Sequence, residues 1–210
     1  VLRSDVDLKP DDIVLCTVGR LNKSVQRDFL DAILAALKQN RRLRWLVLGP
    51  REEQSLKTLD RAMGVAGVGG QVQWPGAVHE RLASYYLTAD IYCDTFPFPG
   101  GQSLGEAMFA GLPVVAMHKV VDADLDPTGS GPTSATAEVF IGDTVELVKS
   151  GDVQGYTDRI LAYAADPELR KRDGARLRER ALATLGWDQM VRAYSDVLER
   201  LAGRETTAAR

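Results

Sequence analysis

The sequence predicts an open, doubly wound α/β domain: a parallel sheet of about six strands with helices on both faces and further helices at the C-terminal end. Three observations carry this. Short continuous apolar runs alternate with longer stretches whose apolar residues recur at helical spacing. Gly-Pro or Pro-Gly pairs close two of the runs, at Gly49-Pro50 and Pro75-Gly76. Residues 91–110 read as strand, glycine loop and helix in direct succession.

Residues 13–18 (IVLCTV) form the first run of strand length. Phe29, Ile33, Leu34 and Leu37 then recur at helical spacing. Residues 43–48 are a second strand, stopped by Gly49-Pro50. Leu56, Leu59 and Met63 fit a helix that ends in the glycine-rich stretch 64–70. Residues 72–74 are a short third strand, and 79–87 read as a helix. Residues 91–94 are a fourth strand, 103–109 a helix and 113–117 a fifth strand. Beyond Met117 the pattern blurs. Residues 122–132 are rich in Asp, Gly, Pro, Ser and Thr and read as a loop. A weak helix spans 133–140, and Val139 to Ile141 is a candidate sixth strand. Amphipathic helices are expected over 156–165, 168–185 and 187–201. In the last, Trp187, Val191, Tyr194, Val197, Leu198 and Leu201 form one stripe, which reads as packing rather than a cofactor site. Right-handed crossovers join such strands. A Rossmann-like sheet of this kind takes its ligand at the carboxyl ends of the strands.

Composition narrows the partners. The chain has 210 residues, 45% hydrophobic and 26% charged, with a net charge of −3. That balance points to no nucleic acid and no anionic membrane, so a phosphate site must be built locally from backbone N–H groups and a few cations. Cys16 and Cys93 each sit in a strand-like run, as small core residues, and no framework of paired cysteines is present. A reduced, cytoplasmic setting is the expectation. Two histidines and scattered cysteines make no metal-ligand cluster. No apolar run approaches the roughly 18 residues of a membrane span. Residues 1–12 (VLRSDVDLKPDD) lack the apolar core of a signal peptide and read as an interdomain linker. The domain is expected over 13–201, with a disordered tail at 202–210.

The segment CDTFPFPGGQSLGEAMFAGLPVV, residues 93–115, is the richest in chemistry. A buried strand ends at Asp94, and Pro97, Pro99, Gly100 and Gly101 forbid regular structure after it. Gln102 and Ser103 then start a helix, whose unpaired N–H groups and dipole favour an anion. Gly100 and Gly101 let a phosphate or diphosphate approach the backbone. Ser103 can add a hydroxyl donor, and Glu106 can accept from ribose hydroxyls. The physics alone weighs this evenly against a plain turn capped by Ser103, with Glu106 complementing the dipole.

VGRLNKS, residues 18–24, follows the first strand. Its loop should neighbour the loop after the fourth strand across the switch point. There Arg20 as a fork and Lys23 as a point charge can neutralise a diphosphate. A solvated loop ahead of a helix capped by Ser24 is the plainer reading. Only Gly19 stands where a dinucleotide fingerprint would need G-x-G-x-x-G, which argues against hydride transfer. The rim continues through Gly49-Pro50 and through Gly76, Val78 and His79, where a loop can wrap a flat base. His118 lies just past the fifth strand on the same rim.

Together, G-R-L-N-K at 19–23, W-P-G at 74–76, L-T-A-D at 87–90 and G-E-A-M-F-A-G-L-P-V-V at 105–115 resemble the C-terminal domain of GT-B glycosyltransferases. The likeness covers about the first 120 residues. D-T-F-P-F-P-G-G-Q-S at 94–103 is most similar to the O-linked N-acetylglucosamine transferase (SPINDLY-like) family. In that family a polar residue and a lysine three positions on contact the donor diphosphate, which implies Arg20 and Lys23. Its helix-start motif is His-Thr-Thr, where this chain has Gly101-Gln102-Ser103, so the backbone contacts carry over rather than the side chains. Its acidic ribose ligand matches Glu106. The large retaining family with this fold places two glutamates eight positions apart. Glu106 fits the second, but Phe98 occupies the first, which favours inversion.

The resemblance implies a nucleoside-diphosphate sugar donor, a UDP-sugar by preference, as substrate, with no cofactor and no metal. It also implies an N-terminal domain of similar size that binds the acceptor and supplies the catalytic base. This chain alone should bind donor weakly or not at all and should not turn over. A sugar-nucleotide epimerase of the same fold and a binding module that lost the chemistry are the alternatives.

Overall fold

A computed structural model describes residues 3–119 and 136–208. The loop expected at 122–132 lies outside them. The strands are β1 (Ile13–Val18), β2 (Leu43–Leu48), β3 (Val72–Gly76), β4 (Ile91–Cys93) and β5 (Val114–Val115). They form one sheet in the order β3-β2-β1-β4-β5, and every pairing is parallel. β1 lies at the centre. Its whole length pairs with β2, from Ile13 opposite Leu43 to Val18 opposite Leu48. On its other side Leu15 faces Ile91 and Cys16 faces Tyr92. The chain therefore winds outward from β1 to β3 and then crosses back to β4. The loops after β1 and β4 lead away to different sides, which opens a crevice at the strands' carboxyl ends.

The helices are α1 (Leu21–Ser24), α2 (Arg27–Gln39), α3 (Glu53–Ala66), α4 (Leu82–Tyr86), α5 (Gln102–Phe109), α6 (Thr136–Ile141), α7 (Val153–Ala165), α8 (Pro167–Thr184) and α9 (Trp187–Ala208). Alternate strand residues feed separate cores, as the period of two requires. Leu15, Trp45 and Val47 join Phe29 and Ile33 of α2 and Tyr156 and Ile160 of α7 on one face. Val14, Cys16, Leu46 and Tyr92 join Leu104 and Met108 of α5 and Leu177 of α8 on the other. Both faces are covered, so the strands read as continuous apolar runs.

Several polar groups inside the sheet pair with one another. The Trp45 indole donates to Thr17 Oγ1 at 3.0 Å, and Thr17 donates to the Cys93 carbonyl at 3.1 Å. The Tyr156 hydroxyl reaches the carbonyls of Asp94 and Val115 at 2.7 and 2.9 Å. These contacts clamp the ends of β1, β2, β4 and β5 together. At the opposite end Arg3 pairs with Asp90 at 2.7 Å, and Asp90 also accepts the Val14 N–H.

Several sequence expectations change. Val139 to Ile141 is helical within α6 and not a sixth strand. Among the described residues that edge instead carries a parallel bridge between Met117 and Val148. The segment 79–87 is a 3-10 turn, His79–Arg81, followed by the short α4. The last helix runs on to Ala208, beyond the expected end at Leu201. The stripe on that helix does not pack within the described residues: Val191, Tyr194, Val197 and Leu198 are exposed. Periodicity gives the stripe but not the surface that covers it.

The rim loops after β1 and β2 touch backbone to backbone. A Cβ added to Gly49 would stand 1.8 Å from the Gly19 carbonyl oxygen. Gly49→Ala should therefore part these loops and cost about 1–3 kcal/mol, read as a lowered Tm. Gly64→Ala, which meets no atom within 4 Å, should leave Tm unchanged or raise it.

Candidate functional site

Glycines floor the rim. The Gly19 N–H donates to the Leu48 carbonyl at 2.9 Å, and the Gly49 N–H to the Gly76 carbonyl at 3.1 Å. Gly76 closes β3 in the left-handed region, with φ +88°. The Trp74 indole donates to the Gly49 carbonyl at 3.1 Å, which fixes this corner. Val78, two residues on, is half-buried against the second core. His79 begins the 3-10 turn, and its side chain lies outside the described residues.

The loop after β1 meets the loop after β4, as the switch point requires. Lys23 Nζ donates to the Pro99 carbonyl at 3.0 Å. A cleft of about 330 Å³ opens here, lined by Arg20, Asn22, Lys23, Gln26 and Phe98. Burial lowers the Lys23 ammonium from its ordinary value; Asp94 pulls it back up, and Arg20 lowers it further.

The turn from Asp94 to Ser103 is built around one carboxyl group. Asp94 is 2% exposed, and its Oδ1 accepts the Gly100 N–H at 2.8 Å. A Cβ on Gly100 would stand 2.5 Å from Ser103 Oγ, 2.8 Å from Asp94 Oδ1 and 3.0 Å from the Tyr92 hydroxyl. Only glycine fits there. Gly100 thus serves by packing, since its N–H is already taken. Ser103 does not cap the helix either: its Oγ accepts from the Tyr92 hydroxyl at 3.1 Å. α5 starts at Gln102 with Gly101 as its N-cap residue, and no side chain caps it. Gly101 and Gln102 are exposed, and a Cβ on Gly101 would meet nothing within 4 Å. The capped turn that competed with an anion site in the sequence is therefore not what forms. What forms is a helix start with open N–H donors, on the same rim as Arg20 and Lys23.

One turn along α5, Glu106 Oε1 accepts from Gln102 Nε2 at 3.1 Å, and Oε2 stands 3.2 Å from the Tyr86 hydroxyl. That hydroxyl is also 3.0 Å from the Ser103 carbonyl. Burial keeps Tyr86 protonated, well above its ordinary range, so it remains a donor. Glu106 lines a groove of about 500 Å³ between α4 and α5 with Glu80, Leu82, Tyr86 and Phe109. His118 stands apart, half exposed, with Nδ1 3.3 Å from Glu138 Oε1.

The family model described as glycosyl transferases group 1 matches residues 12–166. The chain belongs to this family. No curated protein matches the chain. Among solved structures, sucrose-phosphate synthase from Thermosynechococcus elongatus matches with a TM-score of 0.73 at 23% identity, over 96% of this chain and 48% of that one. A mutant O-GlcNAc transferase from Thermobaculum terrenum matches with a TM-score of 0.73 at 22% identity, over 94% of this chain and 37% of that one. The Anabaena protein HepE, in complex with UDP and glucose, matches with a TM-score of 0.70 at 17% identity, over 90% of this chain and 49% of that one. These likenesses establish the GT-B, Rossmann-like fold. The chain spans half or less of the length of each of these structures.

Within this glycosyltransferase domain the structure sets Arg20 and Lys23 in one cleft beside the Pro99 carbonyl, and Gly100, Gly101, Gln102 and Ser103 at the adjoining start of α5; Glu106 lies one turn along, in the separate groove between α4 and α5. Gly76 and Val78 stand further along the rim, on the β3 side. Sequence reasoning missed the inward-facing supports. Tyr92 and Asp94 sit two apart at the end of a buried strand and so share a face; both reach the Gly100 turn. That spacing was the available signal.

Burial pushes Asp94 up to about 7, while the N–H groups of Gly100 and Thr95 and the Lys23 charge pull it down. Its folded value thus exceeds the unfolded one of about 3.9. Between those values the folded chain holds a proton that the unfolded chain has released, so ionising Asp94 lowers stability as pH rises through the window. The Tm of Asp94→Asn relative to the unmutated chain should therefore grow from pH 5 to pH 8, by the equivalent of roughly 2 kcal/mol or more. Thermal melts at the two pH values check this.

Proposed function

We propose that this chain is the donor-binding domain of a glycosyltransferase that takes a nucleoside-diphosphate sugar, with UDP as the nucleotide. The observation that carries the reading is the uncapped start of α5 on the same rim as the Arg20 and Lys23 loop. Open N–H donors, the helix dipole and two cations together suit two linked phosphates and little else on this surface. In this reading Glu106, one turn along the same helix, accepts from the ribose hydroxyls, and the rim at Gly76, Val78 and His79 takes the base. That HepE is seen with UDP supports the choice of nucleotide.

In the reaction, the domain holds the diphosphate while the sugar passes to an acceptor. Negative charge grows on the leaving diphosphate as the glycosidic bond breaks. Arg20, Lys23 and the α5 N-terminus stabilise that charge without a metal. The sugar goes to a hydroxyl of a protein or glycan, and a base on a separate acceptor-binding domain removes its proton. Phe98, where the retaining pattern has glutamate, offers no carboxylate beneath the sugar and supports inversion. The turn at residues 94–103 and the structural likeness to the Thermobaculum terrenum O-GlcNAc transferase support a place near that group. A cytoplasmic setting is part of the same reading.

UDP at about ten times its Kd should stabilise the fold by about 1.4 kcal/mol, a Tm rise of about 3–6 °C. Lys23→Ala and Arg20→Ala should each abolish most of the shift. No shift with any nucleoside diphosphate at 10 mM would sink the reading.

A further inference from the structure

We propose that Asp94 is a positioning residue of the diphosphate site, which holds the Gly100 N–H inward so that the next N–H groups, on Gly101, Gln102 and Ser103, face the anion. This rests on the nucleotide-sugar reading above. It adds a residue that neither the sequence pattern nor the fold assigns to the site.

The geometry is specific. Asp94 lies at the carboxyl end of β4, and its side chain is buried beneath the turn that precedes α5. Oδ1 takes the Gly100 N–H at 2.8 Å. The main-chain carbonyl of Asp94 is held from the other side by the Tyr156 hydroxyl of α7 at 2.7 Å. Tyr92, one strand repeat earlier, holds Ser103 Oγ at 3.1 Å. The turn is thus tied at Gly100 and at Ser103, and the residues between them, Gly101 and Gln102, are exposed. Without the Asp94 oxygen, Gly100 would carry a buried unpaired N–H and the turn would be free to rotate.

Asp94 acts here as a hydrogen-bond acceptor and not through its charge. The groups facing it are Lys23 from α1, with Arg20 behind it; Tyr92 and Cys93 of its own strand; Tyr156 of α7; and the N–H groups of Gly100 and Thr95. Lys23 is the one cation among those that act directly on it. A bound diphosphate would claim the same Lys23 and place negative charge near the carboxylate. Ionised Asp94 therefore opposes the ligand, whereas the neutral acid keeps the acceptor oxygen and drops the opposing charge. Because burial raises Asp94 to about 7, the two forms exchange near neutral pH. Asparagine reproduces the neutral form.

The test follows the backbone amide signals of Gly101, Gln102 and Ser103 by NMR as UDP is added to 10 mM, at pH 6 and pH 8. Asp94→Ala should weaken UDP at least tenfold at pH 6 while the amide spectrum away from the turn stays native. Asp94→Asn should bind within threefold of the unmutated chain at pH 6 and severalfold more tightly at pH 8. The ionisation of UDP itself is common to all the proteins, so the difference in pH slope isolates Asp94. Binding by Asp94→Ala within twofold of the unmutated chain would overturn the proposal, and so would Asp94→Asn as weak as the alanine variant. If the alanine variant does not fold, an equal pH slope in the asparagine variant and the unmutated chain overturns it. If the unmutated chain shows no UDP shifts, the nucleotide reading fails by itself. Hydrogen exchange at the Gly100 amide then decides the positioning claim. Exchange at least tenfold faster in Asp94→Ala than in Asp94→Asn supports it, and equal rates reject it.

Discussion

The placement of β1 between β2 and β4 is the constraint on which the rest of this domain depends. A strand hydrogen-bonded on both sides cannot accept a further neighbour, so the chain must leave β1 in one direction and return on the other. The loops at the two carboxyl ends then diverge, and the space between them is the crevice. The buried bonds Trp45–Thr17, Thr17–Cys93 and Tyr156–Asp94 lock the strand ends at that point. Each donor and acceptor is buried, so loosening one would leave a costly unpaired group in the core.

On that frame the site is assembled from backbone more than from side chains. Glycines are placed where chain must approach chain: Gly49 against Gly19, and Gly100 against Ser103, Asp94 and Tyr92. At the start of α5 no side chain caps the helix, and the residues on either side are held, Gly100 by Asp94 and Ser103 by Tyr92. Ser103 is the clearest case. It lies inside the first turn, past the N-cap at Gly101, and its hydroxyl accepts from Tyr92 instead of capping the helix.

The same arrangement carries an electrostatic cost. A carboxyl group buried at the end of β4 is stable there only because two N–H groups and a nearby ammonium face it. An apolar residue of similar size would satisfy the core but leave the Gly100 turn without its acceptor. The exposed apolar stripe of α9 is a different matter. It contributes little to the packing of the described residues, in contrast to α2 and α7, whose apolar faces are largely covered.

The sequence by itself determined the α/β class, the parallel sheet and most strand and helix positions. Apolar runs and helical periods are local patterns, and burial on both faces writes them plainly. It also determined that Arg20, Lys23 and the Gly100-Gly101 turn would share one rim, since alternating strands and helices fix which loops lie at the carboxyl ends. Three things were decided only by tertiary structure. Val139 to Ile141 became helix because propensity in so short a stretch cannot resist its neighbours in α6. Ser103 does not cap α5: Gly101 stands at the N-cap and the Ser103 hydroxyl binds Tyr92, a contact across eleven residues that no local pattern reveals. Asp94 took its place as the support of the glycine turn because the fold buried it there, and burial of a charged group depends on what packs around it rather than on its place in the chain.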